Sequence, residues 1–269
     1  SIAAYNTTFK MLIKYFKDIY INDISVEDFE EWKDALLKEG GRMNCTINKH
    51  MTYTKDFIKF AVDRHLLVHN NAKPLSLLDE TQDKQDRKQE VENYSLSDVE
   101  KILNYTYKSP VYNKIYKIAL YSALRQNEIN SLTQDNIVQD KETGIYYFNI
   151  TKSKSVAGVR KVPIHKDILE MVLATSFPLM PNMSKNAFSK TVRYHLYKVI
   201  EEGQGQNFHT FRATFIERSV KANIDKVNSI FMLQEIVGHA KGETALTLDT
   251  YAKGFDIDLL QDIVDKVDY

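Results

Sequence analysis

Four residues late in the chain have side chains suited to handling an anion and a spacing that chance supplies poorly: His209, Arg212, His239 and Tyr251. His209 and Arg212 stand at i and i+3 in His-Thr-Phe-Arg-Ala-Thr-Phe. On a helix both project from one face, while Phe211 and Phe215 share another. Glu235 to His239 reads as a helix that ends at Gly238, with the histidine just beyond the cap. Tyr251 follows within Leu248-Asp249-Thr250-Tyr251-Ala252-Lys253. A second cluster upstream, Tyr121 to Leu132, carries Ala123-Leu124-Arg125 and then Glu128. Any one of these residues alone reads as an ordinary solvated or satisfied group. Their order along one chain carries the information.

Taken together the boxes resemble those of the tyrosine recombinases, also called the phage integrase family. The first box matches Ala123-Leu124-Arg125 with Glu128 and Leu132; His-x-x-Arg matches His209 and Arg212; Leu-Gly-His matches Val237-Gly238-His239; the nucleophile matches Tyr251. The resemblance runs from about Tyr94 onward and is weaker before it. Lys154-Ser155-Val156-Ala157-Gly158-Val159-Arg160 also fits the frame around the family's β-hairpin lysine, with Lys154 preferred and Lys152 as the alternative. The step of twelve residues from His239 to Tyr251 is longer than in many members.

The resemblance implies a chemistry. Attack by a tyrosine hydroxyl on a phosphodiester needs neutralisation of the two non-bridging oxygens, activation of the phenol and a proton for the departing alkoxide. Arg125 and Arg212 would clamp the phosphate, as guanidinium forks favour. His239 would donate to a non-bridging oxygen, His209 would assist proton movement at Tyr251, and Lys154 would protonate the 5′ oxygen. Glu128 would support a basic group nearby. The product would be a 3′-phosphotyrosyl DNA with a free 5′ hydroxyl, and rejoining would need no cofactor, ATP or metal. The implied partner is double-stranded DNA, bound by a tetramer spanning two DNA sites during integration or excision of a mobile element. Two alternatives are relaxation of DNA by a type IB topoisomerase and a non-catalytic architectural role on DNA.

The implied fold is mainly α with a small antiparallel β-hairpin or sheet, in two domains. Residues 1–70 would form a helical core DNA-binding domain, 71–93 a linker, and 94–269 a mixed α/β catalytic domain with a C-terminal tail. Composition allows this: 269 residues with 43% apolar content suffice for two cores. One cysteine, Cys45, excludes an internal disulfide framework, and no apolar run approaches the roughly 20 residues that span a bilayer, so a cytoplasmic protein is expected. Charge is less directly informative, since 36 basic residues balance 36 acidic ones, where a DNA-binding protein usually carries a basic surplus. Acids concentrate between Asp79 and Glu92 and in the tail after Asp256, while basic residues gather between Lys152 and Lys166 and between Lys185 and Lys221. A neutral total therefore permits a basic groove with salt-sensitive affinity.

The elements needed to position the site follow from periodicity. Helices are expected from Tyr5 to Asp18, from a capping box at Ser25 to about Lys38 before Gly40-Gly41, and through Ile47, Met51, Ile58 and Val62. The polar face of that third helix reads by itself as solvated; the resemblance to the family's core-binding domain makes Asn48, Lys49, Lys55 and Lys59 candidate DNA contacts. Ser95 caps a further helix, and Val111 to Ala119 marks another. After Asp135 the period becomes alternating, giving strands at 145–150 and 158–164 with the lysine-bearing turn between them. The chain is helical again through Phe188, Val192, Leu196 and Val199. Beyond Tyr251 lies an amphipathic segment, Ile257, Leu260, Ile263, Val264 and Val267, which would pack on its own domain or, as the resemblance implies, dock on a neighbouring subunit.

Overall fold

The structure, a computed structural model, describes residues 2–17, 19–83, 85, 92–153, 155–200, 206–223, 229–239 and 254–269. Lys154 and Tyr251 lie outside the described residues. The chain divides into two compact units, residues 1–90 and 91–269. It is mainly helical with one small antiparallel sheet, as expected.

In the first unit, helices α1 (Ile2–Phe16), α2 (Val26–Glu39) and α3 (Asn44–Asp63) enclose Phe16, Phe29, Trp32, Ile47, Met51 and Ile58. α2 starts where the capping box places it: Ser25 Oγ accepts from the Asp28 amide at 3.1 Å, and Asp28 returns the bond to the Ser25 amide at 2.8 Å. It ends at Gly40, whose φ of 70° suits a residue without Cβ.

Two expectations change here. The segment expected to open a linker at 71 is packed on this unit as far as Asp83. Ala72 and Leu75 are buried in the core, and Lys55 Nζ donates to the Leu75 carbonyl at 2.8 Å. Asn48 is buried and brackets Leu78, donating to its carbonyl at 2.9 Å and accepting from its amide at 2.8 Å. Asn44 reaches the Asp79 carbonyl at 2.7 Å, and Lys33 the Ser76 hydroxyl at 2.6 Å. Extended backbone lying on a protein needs partners for its amides and carbonyls, and polar residues of α3 and α2 supply them. Asn48 and Lys55 are thus occupied in holding this segment, whereas Lys49 and Lys59 are exposed.

The second unit is built around α5 (Pro110–Ser122), which follows the capped helix α4 (Leu96–Asn104). Ile115, Tyr116, Ile118, Ala119 and Leu120 are fully buried, and the Tyr116 hydroxyl donates to the Val192 carbonyl at 2.7 Å. A short α6 (Gln126–Ser131) leads to strands β1 (Ile137–Gln139), β2 (Tyr146–Ile150) and β3 (Arg160–Pro163) in the order β1-β2-β3. Phe148 faces Ile137 on one side and Val162 on the other, so β1 adds a strand to the expected hairpin. Helices α7 (Lys166–Leu173), α8 (Lys185–Leu196), α9 (Phe208–Ala222) and α10 (Ser229–Val237) complete the layer before the tail helix α11 (Ile257–Val264). No helix among the described residues is long and apolar enough to cross a membrane.

The tail packs on its own unit. Ile257, Leu260, Ile263, Val264 and Val267 are buried in this unit's own core, with α11 against β3 and α10. Polar groups fix it further. His165 is fully buried; its Nδ1 accepts from the Asp167 amide at 3.0 Å, so its Nε2–H donates to the Val267 carbonyl at 2.9 Å. The Tyr269 hydroxyl donates to the Leu120 carbonyl at 2.7 Å. An amphipathic stripe indicates that a face will be covered but not by what, and here its own sheet covers it. Leu260→Ala should therefore destabilise the monomer by about 2–5 kcal/mol, measured by denaturant unfolding. A tail reserved for a neighbour would lose almost nothing in that measurement.

Candidate active site

α5 ends at Ala123 with φ 52°, a left-handed conformation that costs a residue with a Cβ about 1–2 kcal/mol. The turn buries Leu124 and brings Arg125 to the start of α6. Glu128, three residues on, accepts from the Arg125 amide and from its Nη1, both at 2.8 Å. The Arg125 side chain remains about one-third exposed.

α9 opens at Asn207, which accepts from the His209 amide at 2.8 Å and donates its own amide to Thr210 Oγ1 at 2.9 Å. That start exposes His209 in the first turn and places Arg212 one turn in, while Phe211 and Phe215 enter the core. Arg212 is buried; Nη1 donates to the Ala123 carbonyl at 2.8 Å and Nη2 to the Val237 carbonyl. Burial, with Arg125 and Arg160 close by, pulls its guanidinium down to about 10, so it stays charged at neutral pH.

α10 ends in a Schellman turn: the Gly238 amide bonds the Glu235 carbonyl and the His239 amide bonds the Gln234 carbonyl, each at 3.0 Å. Gly238 has φ 66°, and a Cβ there would sit 2.8 Å from the Ala157 carbonyl oxygen. The carbonyls left free by this ending are taken by arginines. Arg160 Nε donates to Ile236 at 2.6 Å, Arg212 donates to Val237, and Arg125 Nη2 donates to Gly238 at 3.0 Å. A helix C-terminus carries partial negative charge, which favours cations gathered there.

Arg160, the residue that sequence reasoning left out of the site, is buried at the start of β3. It forks onto Glu128, Nη1 to Oε1 at 3.1 Å and Nη2 to Oε2 at 3.0 Å, and Nη1 also donates to the Gly158 carbonyl at 2.8 Å. A signal existed: in Arg160-Lys161-Val162 the arginine shares strand phase with an inward valine, and an inward arginine needs a carboxylate. Burial alone would raise Glu128's pKa; the hydrogen bonds and charge of Arg160, then those of Arg125, outweigh it, and the carboxyl lies below its ordinary range.

Arg125, Arg212 and His209 line a cleft of about 400 Å³ together with Arg193, Ser189 and Gln126. On its other side Arg125 borders a second cleft of about 770 Å³ with Lys152, Ser153, Ser155 and Lys185. Lys152 thus lies along the same arginine as the first cleft; Lys154 lies outside the described residues. His239 is exposed beyond the end of α10. Where the described chain resumes after Tyr251, the Phe255 amide donates to Glu235 Oε1 at 3.3 Å, back on α10. Among the described residues no cluster of His, Cys, Asp or Glu is arranged to hold a metal ion. The first cleft has, among the described residues, three arginines and a histidine in its lining and no carboxylate, which suits an anion, whereas Glu128 borders the second.

Several solved structures share this fold. Over 94% of its length the chain superposes on 89% of a lambda integrase fragment, crystallised as a dimer bound to a COC′ core site, with a TM-score of 0.63 and 16% identity. The Tn1549 transposon integrase in complex with transposon right end DNA matches 95% of this chain and 90% of its own at TM-score 0.60 and 18% identity. The integrase of mycobacterium phage Brujita matches 99% and 86% at TM-score 0.51 and 14% identity. The chain has the integrase fold. No protein-family model matches the sequence, and no curated protein does. The similarity is therefore one of fold, at an identity too low for sequence comparison to register.

Both site histidines are held below their ordinary pKa, first by desolvation and then by the charges of Arg212 and Arg125. Each is thus neutral at pH 7. Removing a neighbouring positive charge relieves the penalty on the imidazolium, so Arg125→Gln should move both titrations upward. Imidazole NMR signals followed across pH 5 to pH 8 measure this; unchanged midpoints would show that the three groups do not share one field.

Proposed function

We propose that the chain cleaves and rejoins DNA strands at specific sites, with Tyr251 as nucleophile, in integration or excision of a mobile element. The observation that carries the reading is the pairing of Arg125 and Arg212 on adjacent carbonyls of one helix end, beside His209 and a cleft lined with donors. Phosphoryl transfer places growing charge on the non-bridging oxygens, and fixed guanidinium groups meet it without reorganising. The integrase fold and the DNA-bound phage and transposon integrases that share it support DNA as the source of the phosphate.

In the proposed reaction the Tyr251 oxygen forms a bond to phosphorus while the bond to the 5′ oxygen breaks. The tyrosine proton leaves toward His209, and the 5′ oxygen takes a proton from Lys154. His239, neutral at pH 7, donates to a non-bridging oxygen. The 3′-phosphotyrosyl bond keeps the energy of the phosphodiester, so attack by another 5′ hydroxyl reverses the chemistry. Assembly of four copies on two DNA sites is part of this reading; one solved structure sharing the fold is a lambda integrase tetramer on a Holliday junction. Its interface is not assigned to the apolar face of α11, which is filled from within.

Selection of bound DNA from random sequence supplies the substrate. A nicked version of the selected site, which traps the cleaved state, should give a covalent protein–DNA band with the wild type and none with Tyr251→Phe, at unchanged DNA affinity. A band that persists in the variant assigns the nucleophile elsewhere.

Lys154 and Lys152 are separated by replacing the bridging 5′ oxygen with sulfur, a leaving group that needs no proton. Lys154→Ala should lose about 100- to 10,000-fold on ordinary DNA and recover most of it on the sulfur-bridged site. Recovery by Lys152→Ala instead moves the general acid two residues upstream.

A further inference from the structure

Arg160 faces no cleft and cannot meet a phosphate: its side chain is 2% exposed and its N–H groups go to Glu128, Gly158 and Ile236. Its partner Glu128 is shared, because the Arg125 amide and the Arg125 guanidinium bond the same two oxygens. A buried carboxylate facing one guanidinium draws it into a two-pronged pair, the strongest arrangement open to both. Such a pair would turn Arg125 away from the cleft. With Arg160 already on both oxygens, Arg125 spends one Nη1 bond on Glu128 and one Nη2 bond on Gly238. A guanidinium carries five N–H donors, so donors remain for an anion.

We propose that Arg160 is a positioning residue for phosphate binding: by neutralising Glu128 from the far side it keeps Arg125 on the α10 end with free donors directed at the cleft. The same side chain ties three elements together. It joins β3 and the turn at Gly158 to α6 through Glu128 and to the end of α10 through Ile236. Lysine could carry the charge but not the fork, so the geometry calls for arginine.

The inference rests on the proposed phosphoryl transfer at this site, and the test has one arm that uses DNA and one that does not. Three variants are compared with wild type: Arg160→Met, Arg160→Lys, and Arg160→Met combined with Glu128→Gln. With the selected DNA site, Arg160→Met should form covalent product about 100-fold more slowly at unchanged DNA affinity, and adding Glu128→Gln should restore about tenfold, because the competing charge is gone. Arg160→Lys should fall between Arg160→Met and wild type.

Removing the stranded Glu128 charge would also relieve a residue that only held the fold together, so rates are compared at a temperature where denaturant unfolding shows every variant folded; stability lost and regained there without a change in rate marks a structural role alone. A double variant as slow as Arg160→Met, or slower, overturns the proposal, as does a wild-type rate in Arg160→Met. So does loss of DNA affinity in step with rate. If Arg160→Met does not fold, the same reversal is sought in Arg160→Lys with and without Glu128→Gln.

In the second arm inorganic phosphate is titrated while the Arg125 Nε–H signal is followed by NMR. Arg160→Met should weaken phosphate about tenfold, and the double variant should regain it. If the wild type gives no covalent adduct but this pattern appears, the positioning role stands and the functional reading fails. If phosphate binds wild type and Arg160→Met alike, or binds neither, the positioning role falls whatever the DNA arm shows.

Discussion

The site depends on how one helix stops. A helix leaves its last carbonyl groups without partners inside the helix, and burying them unpaired would be costly. At the end of α10 three consecutive carbonyls, of Ile236, Val237 and Gly238, are satisfied by Arg160, Arg212 and Arg125. Each arginine comes from a different part of the second unit: β3, α9 and the start of α6. The arrangement solves a problem for both sides. The carbonyls gain donors, and three like charges gain an acceptor row and the negative end of a helix dipole. Glu128, itself buried, supplies one full negative charge between Arg125 and Arg160. Three guanidinium groups against one carboxylate leave the region positive, which favours an anion.

Gly238 explains why this ending is demanding. The Schellman turn requires a left-handed residue, and the approach of the Ala157 carbonyl leaves no room for a Cβ. The glycine thus sets both the stop of α10 and the distance at which the β3 turn packs on it. Ala123 is the complementary case, a left-handed residue that retains its Cβ and whose carbonyl is bonded by Arg212. Strain at that turn is accepted because Leu124 is buried on one side of it and Arg125 is delivered to the cleft on the other.

A net charge of zero is compatible with this local picture. Arg160 and Arg212 are internal, so their charge is felt in the cleft and does little for the outer surface. Exposed cations include Lys49 and Lys59 on the first unit, and Arg193 and Lys185 beside the two clefts. Acidic residues lie among them as well: Asp56 and Asp63 are exposed on α3, and Glu128 borders the second cleft. Asp79, Glu80 and Asp83 sit on the segment packed against α3, and Asp256, Asp258 and Asp265 on the tail.

The sequence by itself determined what short-range physics can determine. The Ser25 and Ser95 boxes fixed two helix starts, Gly238 fixed a helix end, and the change to alternation after Asp135 marked β2 and β3, because capping, left-handed turns and strand phase depend on neighbours a few residues away. The order of Arg125, His209, Arg212 and His239 also raised the expectation of an anion site. Only the tertiary structure decided which groups share partners. That Arg160 and Arg125 divide Glu128, that Asn48 and Lys55 hold residues 75–78 and are not left free for DNA, and that α11 fills its own unit's core all depend on contacts between residues distant in the chain. Periodicity records that a face or a charge must be satisfied. Which partner satisfies it depends on how the elements pack, and no local pattern encodes that.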